Sequence, residues 1–148
     1  MKRNAPLVAM LFASLLALGT AAADAPGIQA LWATFDDQGK PTGYVRISLH
    51  GEEYVGVVER GLPGDTKDRR CEACPGSMRD KNLLGLKILS GVHRHGESYI
   101  GGHIVDPFNG KEYRVRLTPS ADGTRLTVRG FIGLEIFGRT QTWVREMK

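Results

Sequence analysis

The chain has 148 residues, 41% of them hydrophobic, with 20 Lys and Arg against 16 Asp and Glu. That length supports one hydrophobic core and no second domain. Charges of both signs are interspersed, so no basic patch marks the chain as a nucleic-acid binder.

Taken in chain order, the first element is a leader. Lys2 and Arg3 form a positive n-region, Leu7 to Leu18 an apolar h-region, and Ala21-Ala22-Ala23 a small-residue cleavage site. The expectation is a signal peptide over residues 1–23, a single mature domain over 24–148 and a periplasmic or secreted location. The apolar run is interrupted and ends in the cleavage pattern, unlike a span of about 20 apolar residues, so no stable membrane insertion is expected after cleavage. With Lys2 and Arg3 gone, the basic excess shrinks to two.

After Gly27 the chain alternates apolar and polar residues with turn signals at regular spacing, which predicts an all-β protein. Strands are expected near 30–35, 44–50, 53–59, 86–92, 98–105, 111–118, 124–132 and 139–146. Val45, Ile47 and Leu49 alternate with Arg46, Ser48 and His50; Tyr113, Val115 and Leu117 alternate with Arg114 and Arg116. Asn109-Gly110 and Asp122-Gly123 supply hairpin turns. About eight sequential antiparallel strands predict an up-and-down barrel closed by its first and last strands, since closure removes exposed edges. A two-sheet sandwich is the alternative. One connection, Arg60 to Asn82, is long enough to need a function or an anchor.

Three blocks, CEACPG with the following LLGLKIL, GGHIVDPFNGKEYRVRL and VRGFIGLEIFGRTQTWVR, together resemble an exported bacterial family, domain of unknown function 2147. The resemblance implies a lipocalin-like barrel and an exported location, and it implies no reaction. ALWATFDDQGKP is also similar to the G-x-W start of lipocalin-type barrels, with Ala30 in place of the glycine. In such barrels the tryptophan packs near a basic residue of the last strand. Arg139 and Arg145 are therefore the candidate partners of Trp32 in closing the barrel. Otherwise Trp32 and Trp143 serve simply as large core residues.

Cys71 and Cys74, the two cysteines, lie in the long connection. A redox pair would sit at a helix N-terminus after a strand, whereas this one is set in a Gly/Pro/Asp loop with Glu72 opposing a thiolate. A zinc site would need two more ligands, for which His93 and His95 are the close pair. A structural disulfide suits an oxidising compartment best. No cofactor or metal is expected.

There is no G-x-S-x-G, H-E-x-x-H or P-loop, and the adjacent acids Asp36-Asp37 and Glu52-Glu53 read as solvated turn residues. The apolar faces of the last hairpins match only if Arg129 opposes Arg116 or Arg114. Such a like-charge pair needs acids or a bound anion between its members, and Arg46 would extend the same face if the strand order permits. The resulting expectation is a non-enzymatic lipocalin-like barrel that binds a small apolar molecule in its mouth or an envelope partner on its surface. Tyr44, Tyr54, Tyr99 and Phe108 are the candidate lining residues. The alternative is a periplasmic enzyme or a thiol-redox protein using Cys71 and Cys74.

Overall fold

A computed structural model of the protein describes residues 26–62 and 69–147; the expected leader lies outside the described residues. The strands are β1 (Ala30–Phe35), β2 (Pro41–His50), β3 (Glu53–Arg60), β4 (Lys87–His95), β5 (Ser98–Ile100), β6 (His103–Val105), β7 (Glu112–Pro119), β8 (Arg125–Phe131) and β9 (Arg139–Arg145). Two single 3₁₀ turns, Gly76–Met78 and Glu135–Phe137, are the helical elements among the described residues.

The sheet runs antiparallel from neighbour to neighbour and closes. β1 pairs with both β2 and β9, and β3 pairs with β4. β5 and β6 both lie between β4 and β7, so they act as two halves of one stave. The closed barrel therefore has eight staves, as the alternation predicted, and the sandwich is excluded. The single strand expected at 98–105 is broken at Gly101-Gly102. A Cβ on Gly102 would fall 2.2 Å from the Ser90 carbonyl oxygen, and Gly91 opposite it has φ +68°. Glycine on both sides lets the two backbones approach and the stave bend.

Alternation places Gly43, Val45 and Ile47 inward on β2 and Val115 and Leu117 inward on β7. The largest buried side chains gather toward one end. Trp32 is fully buried and donates its indole N–H to the Ile28 carbonyl at 2.8 Å. The Arg145 guanidinium lies over the indole, 4.7 Å from a ring centre, and also donates to the carbonyls of Gly123 and Gly27. Because Trp32 and Arg145 are register partners on β1 and β9, this contact sits on the closing seam.

The connection from β3 to β4 is anchored along its described part. Arg70 bridges Asn82, and Cys71 and Lys81 hydrogen-bond through their backbones. Cys71 and Cys74 form a disulfide, and both are fully buried. The disulfide turn packs on the β6–β7 hairpin so closely that a Cβ on Gly110 would overlap the Ala73 carbonyl. Gly110, with φ +69°, is thus required twice, by its turn and by this contact.

These packing differences separate two kinds of variant. Trp32→Ala removes a fully enclosed indole from the seam and is expected to cost about 3–5 kcal/mol. Replacing Cys71 and Cys74 with Ser opens only a short loop and is expected to cost about 1–3 kcal/mol with the barrel still folded. Denaturant midpoints of the two variants check the order; a Trp32→Ala protein as stable as wild type would contradict the seam.

Candidate functional site

At the end of the barrel away from Ile28 the interior is hollow. A cavity of about 660 Å³ opens between the β1–β2 hairpin, the β3–β4 connection and the β6–β7 hairpin, within the usual range of small-molecule pockets, roughly 300–1,000 Å³. Its wall is mainly apolar, with Val45, Val58, Ile88, Ile104, Val128 and Trp143 contributing. Glycines stand at 43 and 130 in the wall, where the closed end has Trp32, Tyr99 and Leu117.

Polar groups interrupt this wall, with charged ones, among them Asp36, Arg60 and Asp106, also in the lining. The Thr34 and Thr42 hydroxyls bond each other at 2.8 Å, with Thr34 also donating to the Gly43 carbonyl. The Trp143 indole N–H donates to the Gln141 side-chain oxygen at 3.3 Å. An indole nitrogen can only donate, so the amide must present its oxygen there. Among the described residues the Gln141 NH₂ is left without a protein acceptor beside the cavity. At the rim, Arg139 and Asp37 form an ion pair at 2.8 Å, both half exposed.

The sequence-derived candidates divide between the two ends. Tyr44 borders the mouth beneath the Arg60 guanidinium, 4.1 Å from its ring centre, and Phe108 stands exposed at the rim with Arg69 5.5 Å away. Tyr54 and Tyr99 instead pack edge to face at 4.9 Å, outside the cavity lining. Burial, with Tyr54 adding to it, pushes the Tyr99 phenol up. Of the two candidate partners for Trp32, Arg145 makes the contact and Arg139 pairs with Asp37 at the mouth. Trp143 lines the cavity.

Arg116 does face Arg129 across β7 and β8, while Arg114 faces Phe131 and lies 5.3 Å from its ring. The two opposed guanidiniums are reconciled by Glu135 from the β8–β9 connection. Its carboxylate accepts from Arg116 at 2.7 and 3.1 Å, while Arg129 donates to the carbonyls of Glu135 and Ile136 and to the Thr140 hydroxyl. The Arg116 hydrogen bonds hold the Glu135 carboxyl below the usual carboxylate range, with the charges of Arg116, Arg129 and Arg114 adding to the effect. Arg46 does not extend this face, being paired with Glu59 at 2.6 Å on β2 and β3.

His93 contacts the Glu52 carbonyl and His95 is exposed. No group of three or more His, Cys, Asp or Glu that could hold a metal occurs among the described residues. Periodicity could not single out Thr34, Gln141 or Tyr113 as lining residues, because each reads as an ordinary strand position. The usable signal was Gln141 lying two residues before Trp143 on one strand, which puts both on the same face.

With Glu135 already between the arginines, Arg129→Gln is expected to lower the melting temperature by about 4–8 °C, the loss of one or two net hydrogen bonds. The sign with pH follows from the lowered Glu135 pKa. Its contribution is complete above the ordinary carboxylate range and is lost as the pH falls through the lower folded value. Melts across that range check it; a variant more stable than wild type, with the gain shrinking in salt, would instead indicate unrelieved repulsion.

The barrel is similar to a solved structure described as "Protein HP1028 from the human pathogen Helicobacter pylori belongs to the lipocalin family". The TM-score is 0.71 and the identity 21%, over 82% of this chain and 84% of that one. At that identity the likeness speaks for the fold alone. No curated protein matches the sequence. The family described as an uncharacterized protein conserved in bacteria, DUF2147, matches residues 30–145. That span takes in every stave of the barrel, the disulfide turn and the cavity wall; the chain belongs to the DUF2147 family.

Proposed function

We propose that this protein binds a small apolar molecule, carrying one hydrogen-bond-accepting group, in the open end of its barrel. The observation that carries the reading is the roughly 660 Å³ cavity, walled mainly by apolar surface from aliphatic and aromatic side chains and set beside the orientation-locked Gln141 amide. Apolar walls supply affinity by removing ligand surface from water, and a few placed polar groups fix orientation. A thiol-redox role is not favoured, since both sulfurs are fully buried and bonded to each other.

The leader pattern supports periplasmic or secreted action. N-terminal sequencing of the protein recovered from an exporting bacterium is expected to read from Asp24, and an intact leader would refute export by this route.

Binding is tested by titrating the folded protein with a dansylated undecanoic acid. Saturable fluorescence enhancement is expected with Kd on the order of micromolar. Val58→Trp, which fills the cavity from its wall, should weaken binding at least about tenfold without lowering the melting temperature. Gln141→Leu should weaken displacement by hexadecanoic acid more than displacement by a hydrocarbon of similar length. No saturable binding by the folded wild type, or unchanged affinity in the filled variant, would overturn the reading.

A further inference from the structure

The β8–β9 connection presents the most exposed large apolar side chains near the mouth. Ile132 is 66% exposed, Leu134 67%, Ile136 77% and Phe137 81%, all within six residues. Scattered exposed apolar residues need no explanation, but a contiguous group marks an interaction surface. The connection leads from Phe131 to Arg139, and Arg139 and its register partner Gly130 both line the cavity. The apolar group therefore stands at the open end of the barrel.

How this segment handles its polar groups points to what covers it. Its single acid, Glu135, is drawn back onto the barrel wall by Arg116. The carbonyl of Leu134 accepts from the Phe137 N–H, that of Glu135 from the Gly138 N–H and from Arg129, and that of Ile136 from Arg129. Hydrocarbon offers no partner to a backbone group, so a segment entering lipid must satisfy its own. Arg114, exposed beside Phe131, stands near the base of the loop, where anionic headgroups would meet a cation as the apolar tip enters.

We infer that residues 132–137 dock the open end of the barrel reversibly onto an anionic lipid surface, with Ile136 and Phe137 entering the acyl boundary and Arg114 meeting headgroup phosphates. This contact does not depend on what fills the cavity. Its failure and the failure of ligand binding are separable, because the two are measured with different probes.

The test is co-sedimentation of the protein, recovered from cells expressing the whole chain, with mixed phosphatidylethanolamine–phosphatidylglycerol vesicles and no cavity ligand. Wild type is expected in the pellet. Ile136→Ser with Phe137→Ser, both at exposed positions, should lower partitioning by roughly tenfold for each side chain removed, with an unchanged melt. Arg114→Gln should lower it about fivefold on these vesicles and not on phosphatidylcholine alone. In Phe137→Trp, vesicles should shift the new tryptophan's emission to the blue. Folded wild type that stays in the supernatant would overturn the inference, as would binding indifferent to the double substitution. So would a dimer in sedimentation velocity that the same double substitution dissociates, since the surface would then belong to a second copy.

Discussion

The barrel depends on the contact between Arg145 and Trp32. An up-and-down sheet of eight staves is stable in water only if its first and last strands meet, because otherwise each leaves a row of unpaired backbone groups. The direct register between β1 and β9 is short, Trp32 with Arg145 and Ala33 with Val144. The side chains strengthen that seam. A guanidinium over a shielded indole contributes on the order of 1–2 kcal/mol, and the same Arg145 binds carbonyls at Gly27 and Gly123. One cation thus ties together the segment before β1, the β7–β8 hairpin and the closing strand.

Closing the barrel this way fills one end and leaves the other to be shaped independently. Ile28, Trp32, Tyr99, Leu117 and Leu126 occupy the seam end completely. Small barrels of this strand number have just enough interior to be filled by their own side chains, so a cavity exists only where residues are small. Gly43 and Gly130 stand in the wall there, admitting the close approach of the Arg60 carbonyl and the Tyr113 side chain. The mouth is then built from connections, among them the β6–β7 hairpin, against which the disulfide turn is held at Gly110. Rigid closure at one end and loop-built access at the other is the division of labour expected of a binding scaffold.

The parts legible in the sequence were those governed by local rules. Period-two alternation placed the staves, and Asn109-Gly110 and Asp122-Gly123 placed two hairpins, because both signals act over a few residues. Gly101-Gly102 reads locally as part of a strand. Its break arises from the approach of Ser90 on a neighbouring strand, a contact that no window around residue 101 contains. The tyrosines show the same limit: residue type marked four aromatics as lining, but position along the barrel axis decided which reached the cavity. Tyr54 and Tyr99 fall toward the filled end, Tyr44 and Phe108 at the mouth. Axial position depends on the register of every stave between, which alternation alone does not set.

The arginine pair shows how a local conflict can shape a distant surface. Register forces Arg116 opposite Arg129, and like charges so placed disfavour pairing of the two strands. Relief has to come from outside the hairpin, and it comes from the following connection, whose Glu135 and carbonyls fold back onto the outer wall. Turning that acid inward leaves Leu134, Ile136 and Phe137 on the solvent side of the same short turn. An apolar tip and an arginine pair held by one carboxylate and two carbonyls are therefore two faces of one arrangement. Exposed tip residues can change with little effect on the wall, whereas loss of Glu135 would disturb both.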